Sequence, residues 1–99
     1  MSSIAVLQTD EFRDWLGRLR DRKAIARITS RIRRVELGNP GDFRSLGAGL
    51  MEMKIDYGPG YRVYFVHRGP SIVLLLCGGD KHTQRRDIEA ARAMAKALP

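Results

Sequence analysis

The segment from Ser71 to Cys77 reads SIVLLLC and is apolar at nearly every position. A strand with one wet face alternates between apolar and polar residues, whereas a strand without this alternation is covered on both faces. Gly69 and Pro70 precede the segment, and the pair Gly78 and Gly79 follows it and is expected to stop it. The segment therefore predicts a central strand of a sheet that is buried from both sides.

Two further segments have a strand pattern. Leu50 to Asp56 (LMEMKID) alternates, with Glu52 and Lys54 opposite the methionines and Ile55. Residues 57–60 form a turn, and Tyr61 to Arg68 (YRVYFVHR) follows as the second strand of a hairpin. We expect the face that carries Lys54 to be left uncovered.

The rest of the chain reads as one short strand, three helices and a loop. Ile4 to Leu7 is a short apolar strand, and Thr9 and Asp21 are N-caps of two helices joined by a break too short for anything but an antiparallel hairpin. Residues 42–49 are expected to be a loop, and a last helix runs from about Thr83 to Leu98. The order β-α-α-β-β-β-α predicts a single α+β domain over residues 1–99, with a small, mainly antiparallel sheet of about four strands.

The charge of the chain favours an anionic partner. Eighteen Lys and Arg residues against eleven Asp and Glu give a net charge of +7 on 99 residues. Such an excess suits nucleic acid, although an acidic protein or a merely solvated basic surface accounts for it equally well. A single cysteine, Cys77, excludes an internal disulfide and favours the cytoplasm, and neither a signal peptide at Met1 to Leu7 nor a membrane role is expected.

Two groups of residues are candidates for chemistry. Lys54 and Arg62 should share a face of the hairpin if Lys54 lies opposite Arg62 or Tyr64. Two adjacent cations repel, so an anion between them is one reading, and a pair of independent solvated charges is the other. The segment Gly78 to His82 (GGDKH) adds Lys81 and His82 at a strand end, where backbone N–H groups collect.

No metal or cofactor is expected, because His67, His82 and Cys77 do not have the spacing of a ligand set. The helical hairpin is strongly basic, and its arginines include Arg31 and Arg34. The simple reading is a solvated surface with local pairing to acids. The sharper reading is a docking surface for RNA or for an acidic segment of a partner protein.

The strings GPGYRVYF and LLLCGGDKHTQRRDIEAA, together with FRDWLGRL and RIRRVELGNPGDFRSLGAGLMEMKI, resemble the addiction-module killer proteins, the HigB-like branch of the RelE/ParE toxin superfamily. The resemblance covers nearly the whole chain. It implies a RelE-like sheet with the helical hairpin packed on one face and an RNA-binding cleft on the other. It also implies a cognate antitoxin, commonly a helix-turn-helix DNA-binding protein, in a toxin–antitoxin hetero-oligomer.

The resemblance also carries residue roles. Lys54 matches the lysine before the GYR segment, Arg62 matches its arginine, and Lys81 matches the basic residue after the last strand. Glu52 stands where the best-known RelE toxin has another lysine, and the last helix lacks that toxin's catalytic tyrosine. Tyr64 and His82 are the available substitutes as acid or base. Two residues at the start of that helix, Gln84 and Arg85, are expected to contact RNA.

The function that this likeness implies is a metal-independent endoribonuclease, an mRNA interferase that cleaves messenger RNA on the ribosome. RNA supplies its own 2′-hydroxyl nucleophile, so the enzyme needs a base, a phosphate clamp and a proton donor. Lys54 is the candidate base because neighbouring cations disfavour its ammonium form, and Arg62 is the clamp. Two alternatives stay open, a gyrase-poisoning toxin without nuclease activity and a noncatalytic nucleic-acid-binding module.

Overall fold

A computed structural model describes residues 3–99 of the chain; Met1 and Ser2, which belong to the predicted domain and N-terminal segment, lie outside the described residues. The elements in chain order are β1 (Ala5–Gln8), α1 (Asp10–Arg18), α2 (Arg22–Glu36), β2 (Phe43–Gly47), β3 (Leu50–Ile55), β4 (Tyr61–His67), β5 (Ile72–Asp80), a 3₁₀ turn (Lys81–Thr83) and α3 (Gln84–Lys96).

One mixed sheet of five strands, in the order β1-β5-β4-β3-β2, organises the fold. Strand β1 is parallel to β5, and every other neighbouring pair is antiparallel. The apolar segment that begins at Ser71 supplies β5, an interior strand flanked by β1 and β4. The predicted α+β class and the mainly antiparallel sheet are therefore confirmed.

Helices cover both faces of the sheet, as the unbroken hydrophobicity of β5 requires. On one face, α1 and α2 pack against side chains that include Val63, Phe65 and Leu75. On the other face, α3 packs through Ala91 against a second cluster that includes Tyr64 and Leu76. Val73 and Leu75 of β5 enter the first core and Leu74 and Leu76 enter the second, because side chains alternate along a strand.

The first two helices begin at the predicted caps. The Thr9 hydroxyl accepts a hydrogen bond from the Phe12 N–H, and the Asp21 carboxylate accepts from the N–H groups of Lys23 and Ala24. These side chains satisfy amide groups that the first turn of a helix leaves without a partner. The caps fix where the two helices start and keep the connection between them short.

Three expectations about this part of the fold were wrong. Residues 42–49 are not only a loop, because β2 lies within them and pairs with β3. Gly78 and Gly79 do not stop the central strand, which continues to Asp80. The face that carries Lys54 is partly covered, because α3 packs over Tyr64, which lies on the same face of the sheet opposite Glu52. Single-strand periodicity cannot show which distant helix covers a face.

Candidate functional site

Lys54 on β3 lies directly opposite Arg62 on β4, and Arg62 lies opposite Gly79 on β5. Of the two pairings left open by the sequence, Lys54 with Arg62 or with Tyr64, the first is the one formed. Directly opposed residues of an antiparallel pair project from the same face. The two cations therefore share the face on which α3 packs.

Arg62 is unusual for an arginine because only 7% of its surface is exposed. One terminal nitrogen, Nη1, donates to the Gly60 carbonyl at 2.7 Å, while Nε has no hydrogen-bond partner among residues 3–99. Gly60 has a positive φ of 83°, and a Cβ there would lie 3.1 Å from Nη1 and 3.8 Å from the Cβ of Lys81. Glycine at this turn thus allows Arg62 and Lys81 to approach the same stretch of backbone.

A cleft of about 420 Å³ opens at this end of the sheet, and its lining comes from the loop before β2, from β2, β3 and β4, and from the start of α3. The lining residues are Asp42, Phe43, Arg44, Glu52, Lys54, Arg62 and Gln84. Three predicted site residues, Lys54, Arg62 and Gln84, therefore meet in one cavity. Arg44 joins them without having been predicted.

Glu52 lies at the centre of a hydrogen-bonded group in this cleft. Its side chain is nearly buried; one carboxylate oxygen accepts from Nε of Arg44 at 2.7 Å and the other accepts from Nε2 of Gln84 at 2.8 Å. Burial alone would raise the pKa of this carboxyl, but the hydrogen bonds from Gln84 and Arg44, together with the nearby Tyr64 hydroxyl and the positive charge of Arg44, lower its pKa below the ordinary value. Glu52 is therefore a carboxylate whose two oxygens are both engaged.

Tyr64 lies beneath the cleft rather than in it. Its side chain is fully buried against α3, and its hydroxyl has no hydrogen-bond partner among the described residues. Burial, together with the nearby negative charge of Glu52, raises the pKa of Tyr64 far above its usual value. A phenol in this position holds its proton and is shielded from a bound ligand.

Lys81 and His82 are exposed in the 3₁₀ turn that links β5 to α3. The Asp80 carboxylate caps the turn by accepting from the N–H groups of His82 and Thr83. Neither Lys81 nor His82 lines the cleft, but the closeness of the Lys81 Cβ to Gly60 places the turn beside Arg62.

The two glycines of β5 are required by packing. A Cβ at Gly78 would collide with the Trp15 ring on one face, and a Cβ at Gly79 would collide with the Asp87 carboxylate on the other. Asp87 accepts a hydrogen bond from the Thr83 hydroxyl at 2.5 Å. Gly79 thus lets the first turn of α3 lie against the sheet, which brings Gln84 beside Glu52.

The three predicted arginine contacts lie in different surroundings. Arg31 is half-buried, and its guanidinium donates to the backbone carbonyls of Pro40, Asp42 and Lys54 at 2.6 to 3.3 Å. Desolvation lowers the pKa of Arg31 below its ordinary value. Arg34 is exposed and lines a separate basic groove of about 510 Å³ along α2. Arg85 is exposed beside Gln84 and lines a shallow pocket next to the cleft.

Comparison with known proteins places the chain in a family. Residues 14–97 match the family model described as phage-derived protein Gp49-like (DUF891). The chain belongs to the Gp49-like family. This family is associated with toxin–antitoxin toxins of the RelE/HigB type and is not specific to HigB. The predicted RelE-like arrangement is compatible with the five-stranded sheet and three helices.

A relative of this Gp49-like protein occurs in Haemophilus influenzae, strain Rd, and is described there as an uncharacterized protein. The two sequences are 44% identical over 96 residues, which is 97% of each chain. The likeness therefore extends over nearly the whole length of both proteins, including every element that lines the cleft.

The sequence of this Gp49-like protein contains a signal for Arg44 and Glu52, two cleft residues that were not among the predicted site residues. Arg44 stands directly opposite Glu52 across β2 and β3, an opposite-charge pair of the kind that stabilises neighbouring strands. The sequence pattern predicts a loop for residues 42–49, which leaves Arg44 without a strand partner and Glu52 only as a departure from the RelE pattern. Recognising β2 would have joined the two residues.

Two further observations concern metal sites and membrane-spanning helices in this Gp49-like protein. Within residues 3–99, no three His, Cys, Asp or Glu side chains lie close enough together to hold a metal ion. No helix in the same range is long and apolar enough to cross a membrane.

Proposed function

We propose that this Gp49-like protein is the toxin of a type II toxin–antitoxin system, of the HigB-like kind, and that it cleaves messenger RNA on the ribosome without a metal. The observation that carries the proposal is the pairing of Lys54 with Arg62 across β3 and β4, at a cleft that Gln84 also lines. Opposed cations at a concave site favour binding of a phosphodiester, which is the group that such an enzyme must hold.

The chemistry uses the nucleophile that RNA itself contains. Lys54, the exposed member of the pair, removes the proton of a 2′-hydroxyl, whose oxygen attacks the adjacent phosphorus. The bond from phosphorus to the 5′-oxygen breaks, and the products are a 2′,3′-cyclic phosphate and a 5′-hydroxyl. Arg62 and Lys81 stabilise the charge that grows on the phosphoryl oxygens.

The proton for the leaving 5′-oxygen comes from the exposed turn. His82 is assigned as donor because it is accessible and follows Lys81 directly, whereas Tyr64 is buried and its pKa is raised. The role of Tyr64 in this proposal is packing.

RNA on either side of the scissile bond contacts the exposed cations around the cleft. Arg85 is next to Gln84, and Arg34 supplies a more distant basic surface on α2. Arg31 is assigned a structural role because three backbone carbonyls already accept from its guanidinium. We place the protein in the cytoplasm, where ribosomes are found, in a complex with a helix-turn-helix antitoxin that neutralises it.

Expression of the chain alone in bacteria, with mapping of RNA ends, tests the proposal. Growth should stop, and cleaved messages should carry 2′,3′-cyclic or 3′-phosphate ends. Lys54→Ala, Arg62→Ala and Lys81→Ala should each slow cleavage by about 100-fold or more. Lys96→Ala, an exposed lysine at the far end of α3, is the matched control and should cleave normally.

Two results would overturn the proposal. Intact RNA together with DNA damage would indicate a gyrase poison, and tight, salt-sensitive RNA binding without growth arrest would indicate a noncatalytic module. Cleavage that survives all three substitutions would reject the assigned site.

A further inference from the structure

The carboxylate of Glu52 determines which atoms of its neighbours face the cleft. It is nearly buried, its pKa is lowered, and each of its oxygens accepts one hydrogen bond. An ionised carboxylate can only accept hydrogen bonds, so it must receive an N–H group from each partner. Arg44 supplies Nε, and Gln84 supplies its amide nitrogen.

This arrangement fixes the orientation in which the Gln84 amide meets a ligand. A glutamine amide usually offers a donor and an acceptor together, and the pair recognises adenine through two hydrogen bonds. Here the nitrogen is held by Glu52 at 2.8 Å. That bond uses one of the two N–H groups of the amide and keeps the amide from turning over. Gln84 lines the cleft at the start of α3, and its amide oxygen, which accepts from none of the described residues, is the fixed acceptor that a bound group can meet.

We propose that Gln84 reads one base of the bound RNA through its amide oxygen, and that Glu52 is the positioning residue that keeps the amide in this orientation. The proposal rests on the function proposed above, because it assumes that the cleft binds RNA. A fixed acceptor favours a base edge with an exocyclic amino group, as in adenine and cytosine. Uracil offers only an N3–H flanked by two carbonyl oxygens, which the amide oxygen repels.

Arg44 strengthens the same arrangement. Its Nε donates to Glu52 at 2.7 Å while its side chain remains 60% exposed. The guanidinium is therefore tethered through one nitrogen, and its terminal amino groups remain accessible for a phosphate. A single buried carboxylate thus holds a base-reading group and a phosphate-binding group in the cleft.

The test measures binding of purified full-length protein to short 2′-O-methyl oligonucleotides of adenine, cytosine or uracil. These probes lack the free 2′-hydroxyl, so binding is measured without cleavage. Wild type should bind the adenine and cytosine probes about fivefold more tightly than the uracil probe, the value of one hydrogen bond. Gln84→Ala should bring the three affinities together, whereas Gln8→Ala, an exposed glutamine on β1, should keep the wild-type ratio.

Glu52→Gln tests the positioning role. The variant keeps the shape of the side chain but offers its own amide donor, so Gln84 can turn and present its nitrogen to the base. The preference against uracil should fall, while Gln84 itself is unchanged. If Glu52→Gln does not fold, as judged by its circular dichroism spectrum, the Gln84→Ala comparison decides the matter.

The outcomes separate this inference from the nuclease proposal. Equal binding of all three probes by wild type, or a preference that survives Gln84→Ala, would overturn the inference even if the protein cleaves RNA. A preference that Gln84→Ala abolishes, in a protein that leaves RNA intact in cells, would support base reading and reject the nuclease.

Discussion

Lys54 and Arg62 stand directly opposite each other on β3 and β4, yet Lys54 is exposed whereas Arg62 is almost completely buried. The two cations thus have different physical tasks although they share one face. Lys54 loses little solvation and is able to meet a ligand. Arg62 is part of the packed structure, where its position is fixed by the Gly60 carbonyl.

Replacement of Arg62 should therefore reduce stability as well as activity. Arg62→Ala removes the bond to the Gly60 carbonyl and leaves space in a buried region, so the free energy of unfolding should fall by about 1–3 kcal/mol. Lys54→Ala should change it by less than about 0.5 kcal/mol. Urea denaturation of both variants checks this difference, and equal stability losses would contradict the separation of roles.

Arg31 should contribute to the stability of the fold rather than to RNA binding. Its guanidinium ties α2 to the carbonyls of Pro40, Asp42 and Lys54, and Arg31→Ala leaves these acceptors without their charged donor. The free energy of unfolding should fall by about 2–4 kcal/mol, since hydrogen bonds to charged groups contribute about 1.5–3 kcal/mol each and are not additive. Arg34→Ala, on the exposed face of the same helix, is the matched control for urea denaturation. If Arg34→Ala lowered the free energy of unfolding as much as Arg31→Ala, the effect would come from the loss of positive charge and not from the hydrogen bonds of Arg31.

Tyr64→Phe should leave RNA cleavage at the wild-type rate. The hydroxyl is buried near the charge of Glu52 and has no hydrogen-bond partner of standard geometry among the described residues, so its removal should cost little. The free energy of unfolding should change by less than about 1 kcal/mol. Cleavage kinetics and urea denaturation of this variant provide the check, and a fall in rate of about 100-fold would restore Tyr64 as the proton donor.

Glu52 should make stability depend on pH in the acid range. Burial would raise its pKa in the folded protein, but the hydrogen bonds from Gln84 and Arg44, with the Tyr64 hydroxyl and the charge of Arg44, lower the pKa overall. The unfolded chain therefore binds its proton more tightly, and this stabilisation is present above the ordinary pKa of 4.5 and is lost as pH falls through the lower folded value. Urea denaturation of wild type and Glu52→Gln over this range should show a steeper acid loss in wild type. Parallel curves would contradict the role of the carboxylate.

The local parts of the fold follow from patterns in the amino-acid sequence. The apolar segment of β5 indicated a strand covered on both faces, Thr9 and Asp21 marked the helix starts, and alternation placed Lys54 and Arg62 on one side of a hairpin. These features depend on periods of two or 3.6 residues and on capping bonds a few positions apart. A single sequence records such patterns directly.

The assembly of the site depends on long-range packing that the sequence pattern does not show. The edge strand β2, with Gly47 next to its bulge, was missed because its apolar pattern is weak, and Arg44 was missed with it. The burial of Tyr64 depends on α3, which packs on the sheet from a later part of the chain. The meeting of Glu52 with Gln84 joins positions 32 residues apart. Contacts of this kind arise from the packing of whole elements, and no local periodicity encodes them.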